Sequence, residues 1–129
     1  MLRTGLLNPH VLSLLARVRH TNTLIIADRG FPFWPEIETV DLSLVDDVPT
    51  VLQVLTAIRG NFVIGRVFMA EEFLSHNSRE RLDSLSRGLD GLPVTREPHV
   101  EFKKRVPRAI GLIRTGDTTQ YANLILESA

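Results

Sequence analysis

The chain has 129 residues, 15 lysines and arginines against 15 aspartates and glutamates, no cysteine, and a hydrophobic fraction of 43%. That balance excludes a disordered chain, disulfides, thiolate metal centres and cysteine nucleophiles, and the basic excess of a general nucleic-acid binder. Apolar runs such as Leu24-Ile25-Ile26-Ala27 are far too short to span a bilayer, and the first ten residues lack a signal-peptide core. The expectation is a single domain over residues 1–129, soluble and cytoplasmic, with no membrane insertion and a tendency to associate at zero formal net charge.

Asn8-Pro9 predicts a helix start, with a capping amide and a proline whose missing N–H costs nothing there. Leu12, Leu14, Leu15 and Val18 give its apolar face, to about Arg19. The continuous run Thr23-Leu24-Ile25-Ile26-Ala27-Asp28 reads as a strand buried on both faces, ending in a carboxylate. Arg29 to Pro35 is a loop, broken by one glycine and two prolines and carrying Phe31, Phe33 and Trp34. Thr39 to Leu42 suits a short edge strand. Asp47 or Val48 ahead of Pro49 introduces a helix through Val51, Leu52, Val54, Leu55 and Ile58, stopped by Gly60.

Ile64 to Ala70 is the next strand, ending at Glu71-Glu72. Asn77-Ser78-Arg79-Glu80 has the spacing of a capping box, with Glu80 reaching back to the cap, and opens a polar helix closed near Gly88. Val94 to Arg96 predicts a brief strand and Pro98 to Lys104 a short helix limited by Pro107. Ala109 to Ile113 and Asn123 to Leu126 are two more buried strands, joined by a polar, turn-rich connection. Helices alternating with apolar strands indicate an α/β layered sheet.

No phosphate loop, dinucleotide fingerprint or nucleophile elbow is present. The histidines, at 10, 20, 76 and 99, do not form a local metal-binding pair. His20 and Asp28 flank one strand and stand about 26 Å apart if the chain between them is extended. A common site for them requires a turn or a second subunit. Each also fits an ordinary role, a solvated loop histidine and a strand-end aspartate. His99 opens a short helix whose free N–H groups would favour neutral imidazole, and Lys103 lies four residues on, along the same face. Tyr121, the sole tyrosine, and Asn123 share a face if the last strand already begins at Tyr121. A tyrosine filling a gap and an asparagine closing a turn are the plain alternatives.

Three blocks, in order, carry a resemblance over almost the whole chain. They are His20 with Thr23-Leu24-Ile25-Ile26-Ala27-Asp28-Arg29-Gly30-Phe31-Pro32, Pro98-His99-Val100-Glu101-Phe102-Lys103, and Ile113-Arg114-Thr115-Gly116-Asp117 with Tyr121-Ala122-Asn123. Together with Thr4-Gly5-Leu6-Leu7-Asn8 near the start, the chain resembles the D-ribose pyranase and L-fucose mutarotase family, closer to the ribose branch. The resemblance implies a Rossmann-like layered sheet with flanking helices, assembled as a ring-shaped homo-oligomer, often a decamer. It implies a cofactor-free and metal-free isomerase of simple sugars, D-ribose foremost. His20 matches the catalytic histidine, as proton donor to the ring oxygen. Asp28, His99 and the Tyr121-Ala122-Asn123 block match sugar-binding positions. Asp28 and Asn123 would fix hydroxyls, while His99 and Tyr121 orient the sugar or complete a proton relay. The rival readings are an L-fucose-type mutarotase and a sugar-binding accessory protein that holds the sugar without converting it.

Nothing in the sequence resembles a thiolate, His-x-x-x-His or acidic-loop metal site. Ring-form exchange measured before and after EDTA treatment is therefore expected to coincide. Loss of exchange that one divalent ion restores would contradict the cofactor-free expectation.

Overall fold

Several helix starts in this chain are explained by a particular side-chain acceptor. The computed structural model describes residues 1–3 and 5–129, so Thr4, which opens the first block of the resemblance, lies outside the described residues. In α1 (Pro9–Arg17) the Asn8 side chain accepts from the His10 and Val11 N–H groups, both at 3.0 Å. In α2 (Val51–Arg59) Thr50 is the cap, closing a reciprocal box with Gln53. Asp117, far away in sequence, adds a carboxylate oxygen 2.8 Å from the Val51 N–H. These caps satisfy donors that the first helical turn cannot satisfy itself.

The strands β1 (Thr23–Ala27), β2 (Glu38–Asp41), β3 (Ile64–Ala70), β4 (Val94–Glu97), β5 (Gly111–Arg114) and β6 (Leu124–Ser128) form one sheet in the order β2-β5-β1-β6-β3-β4. Pairing is parallel for β2 with β5, β5 with β1, and β3 with β4. β6 runs antiparallel between β1 and β3. The one reversed strand is thus central. Its start lies at the edge where the other five strands end.

Alternate residues of each buried strand serve opposite faces. Leu24, Ile26, Val67, Met69, Ile113, Leu124 and Leu126 pack with α1, α2 and α4 (Arg79–Gly88). Ile25, Ala27, Phe68, Leu112 and Ile125 pack with Phe102 of α5 (His99–Arg105) and Val106 of the following 3₁₀ turn (Val106–Arg108). Burial on both sides explains the unbroken apolar runs. Fully burying one such side chain contributes about 1.5–3 kcal/mol. The fold is the expected α/β layered sheet, in its mixed form, and no helix among the described residues is long and apolar enough to cross a membrane.

Several local expectations are corrected. The first helix ends at Arg17, where Val18 turns extended. The second starts from Thr50, since the Thr50 hydroxyl reaches the Gln53 N–H. A five-residue helix, α3 (Glu72–His76), follows β3 where only a strand end was expected. The α4 cap is Ser78, accepting from Arg81, and not Asn77 with Glu80. Asn77 is occupied elsewhere, donating to the carbonyls of Phe73 at 2.9 Å and Gln120 at 2.8 Å. β5 begins at Gly111 rather than Ala109, and β6 at Leu124 rather than Asn123 or Tyr121. Tyr121 has φ 56, a left-handed turn conformation, so period-two spacing does not place it beside Asn123.

The connection from β5 to β6 is pressed against the segment before α2. A Cβ on Gly116 would stand 2.3 Å from the Val45 carbonyl oxygen and 3.0 Å from that of Val48, both backbone atoms. Gly116→Ala is expected to destabilise the fold by about 1–3 kcal/mol, read as a lower urea midpoint. A midpoint equal to wild type would contradict this close approach.

Candidate active site

The strand ends at one edge of the sheet deliver most of the sequence-nominated residues to one place. Asp28 follows β1, Thr115 and Asp117 follow β5, His99 follows β4, and Asn123 precedes the reversed strand β6. Ligand sites of α/β sheets form at this carboxyl edge, where connections diverge. Asp28, Gly30, Asp117, Thr119 and Tyr121 line a depression of about 320 Å³ there.

Asn123 is 2% exposed, and its Oδ1 accepts from the Asp28 N–H at 2.8 Å. Asp28 in turn accepts from the Gly30 N–H at 2.9 Å, a tight turn closed by its own side chain. Thr115, fully buried, donates both its N–H and its hydroxyl to the Ala27 carbonyl. These bonds end β1 without leaving buried polar groups unpaired. Burial pushes the Asp28 carboxyl above its ordinary value, and the nearby Asp117 adds to that. Hydrogen bonds from Gly30, Asn123 and Phe31 oppose it without cancelling it.

Tyr121 joins this depression to a ring cluster. Its phenol ring lies 5.1 Å from the His99 ring, nearly perpendicular, and 5.0 Å from the His76 ring. His99 also stacks on Phe102 and meets the edge of Phe31. Its Nε2 is buried with no partner among the described residues. Burial first, and the Lys103 ammonium second, hold the His99 imidazole below its ordinary value, while Glu72 pulls the other way. The neutral state is as expected, but its cause is corrected. The helix start is not bare, because both Glu72 carboxylate oxygens accept from the His99 N–H, at 3.0 and 2.9 Å.

His20 is not brought to these residues. It sits exposed in the turn before β1, at the opposite edge of the sheet. That turn is tied to the end of β6 by Thr21 N–H to Ser128 O at 3.0 Å. Sequence reasoning missed Asp117, Glu72, His76 and Asn77 as parts of this region. Asp117 stood inside a quoted block without a role, and the other three fall in or beside an unforeseen helix.

Known proteins resemble the chain in sequence and in fold. The model of the RbsD / FucU transport protein family matches residues 1–129. The chain belongs to that family. A D-ribose pyranase of Geobacillus kaustophilus is 40% identical over 128 residues, covering 99% of this chain and 93% of that protein. The structure of Bacillus subtilis RbsD complexed with D-ribose superposes with a TM-score of 0.92 at 31% identity, covering 100% of this chain and 98% of that one. A fucose mutarotase of Streptococcus pneumoniae, solved with L-fucose, shares the fold with a TM-score of 0.80 at 17% identity, covering 95% of this chain and 92% of that one.

The elevated Asp28 value has a signed consequence. Below the ordinary aspartate value of 3.8 the carboxyl is protonated whether the chain is folded or not. As pH rises through the higher folded value, the buried group must ionise and stability is lost. Asp28→Asn removes that cost, and its amide oxygen still accepts from Gly30. This variant is expected to withstand more urea than wild type at neutral pH, the gap closing towards about pH 3. A variant less stable than wild type at neutral pH would contradict the assignment.

Proposed function

We propose that this chain interconverts cyclic forms of a simple sugar, pyranose and furanose D-ribose foremost, by acid–base ring opening and reclosure. The observation that carries the reading is the gathering of Asp28, His99, Tyr121 and Asn123 at the carboxyl edge. It stands on a chain that superposes over its full length on a D-ribose-bound relative.

A cyclic hemiacetal opens when a base takes the anomeric hydroxyl proton while an acid protonates the ring oxygen. The aldehyde then recloses through another hydroxyl, with no covalent intermediate or redox change. An imidazole takes up a proton as base and gives one up as imidazolium near neutral pH, and a positioned acid or base contributes about 10²–10⁴-fold. Asp28 accepts a sugar hydroxyl, and Asn123 holds the turn that presents it. The partnerless His99 Nε2 gains a hydroxyl partner from the sugar, which offsets its burial. Tyr121 offers its ring face to the apolar side of the sugar. Ala122, 2% exposed between Tyr121 and Asn123, packs the turn against the core.

His20 is the proton donor to the ring oxygen. Its place at the far edge of β1 supports a neighbouring copy as its source. The chain accordingly works as a ring-shaped homo-oligomer, a decamer, in the cytoplasm, with its pocket between subunits and no metal or organic cofactor.

His20→Ala and Asn123→Ala proteins are each expected to lose accelerated ring-form exchange. Co-refolded in equal amounts, they are expected to regain activity in about a quarter of the sites, since each shared pocket draws one residue from each of two random neighbours. Confirmed mixed oligomers that recover nothing would overturn the shared pocket, as would a fully active monomer in light scattering. Wild-type exchange by His20→Ala alone would remove that residue from the mechanism.

A further inference from the structure

The short helix α3 has no role in the chemistry described so far, yet it and the residue after it touch the site at three points. Its first residue, Glu72, directs both carboxylate oxygens at the His99 N–H. The Glu72 carbonyl lies 2.9 Å from Nδ1 of His76, whose ring packs on Tyr121. Asn77, just past the helix, donates to the carbonyl of Gln120, the residue before Tyr121. One turn of helix thus braces His99 from one side and Tyr121 from the other.

The Glu72 contact is not ordinary helix capping within one segment. The residue before α5 is Pro98, which has no side-chain acceptor to offer. The cap comes instead from a residue 27 positions earlier in the chain, across the β3–β4 connection. We infer that Glu72 is a positioning residue for His99, fixing where its imidazole stands against Tyr121.

The groups facing His99 make this separable from a purely structural role. Lys103 lies on its own helix, Glu72 and His76 come from α3, and Tyr121 comes from the turn before β6. Among these, Lys103 disfavours the imidazolium and Glu72 favours it. Removing the Glu72 charge must lower the pH at which His99 takes up its proton. Removing the whole side chain must also release the start of α5.

Two variants divide these effects. Glu72→Gln keeps an oxygen that can accept the His99 N–H but carries no charge, whereas Glu72→Ala keeps neither. The His99 titration, followed by the NMR shifts of its imidazole in sugar-free protein, is expected to move to lower pH in Glu72→Gln. In the exchange assay, which rests on the proposed sugar activity, Glu72→Ala is expected to raise KM for D-ribose about tenfold or more through misplacement of the imidazole. Glu72→Gln is expected to rescue most of that increase. A His99 titration in Glu72→Gln that overlays wild type overturns the charge role. A KM unchanged in a folded Glu72→Ala protein overturns the positioning role. Because the titration is read without sugar, it stands or falls independently of the sugar reading. Should Glu72→Ala fail to fold, the Gln titration decides.

Discussion

The structure turns on one hydrogen bond at the end of its first strand. Where β1 stops, the N–H of Asp28 has no further strand residue to pair with, and the buried Asn123 amide takes it at 2.8 Å. Without that acceptor, the carboxyl edge would hold an unpaired buried amide, at a cost of about 1–3 kcal/mol. With it, β1 ends cleanly and Asp28 leaves the sheet facing the open edge. The same amide belongs to the residue that leads into β6, so the one reversed strand is locked in register with the site. Sheet topology and site chemistry share a single contact.

Around that contact, side chains double as structural partners. Asp117 caps α2 through one carboxylate oxygen and, through the other, accepts from the Thr119 N–H at 2.8 Å. Thr115 seals the Ala27 carbonyl. The region therefore holds two buried or half-buried carboxylates, and Asp28 bears the cost of its burial, with a smaller contribution from Asp117, as a raised proton affinity. Preorganised polar groups of this kind are costly to fold and useful in orienting a polyhydroxylated ligand. On the other flank, aromatic rings of Phe31, Phe102 and Tyr121 surround His99 and keep it neutral.

Much of the architecture was readable because it rests on local signals. Asn8-Pro9 names its own helix start, and β1 and the latter half of β3 are apolar runs buried on two faces. Elsewhere the signal was too short or too distant. α3 spans five residues, less than the periodicity needed to see it, and Ser78 and Asn77 are equally good caps until the position of Gln120 is known. The left-handed turn at Tyr121 defeats a strand-face argument. Asp28 and Asn123 are 95 residues apart, so no spacing rule connects them, and only the resemblance placed them in one site. His20 was legible as a candidate, and the strand-length argument rightly set it at the opposite edge from Asp28.

Turnover of the sugar itself tests the proposed activity most directly. Two-dimensional exchange NMR on the anomeric signals of D-ribose, with wild-type protein in its native assembly, reads that turnover without a coupling enzyme. Cross-peaks between pyranose and furanose signals are expected at mixing times where buffer alone shows none, and weaker ones with L-fucose. Broadened ribose signals without such cross-peaks would show a protein that binds the sugar and leaves its ring unchanged.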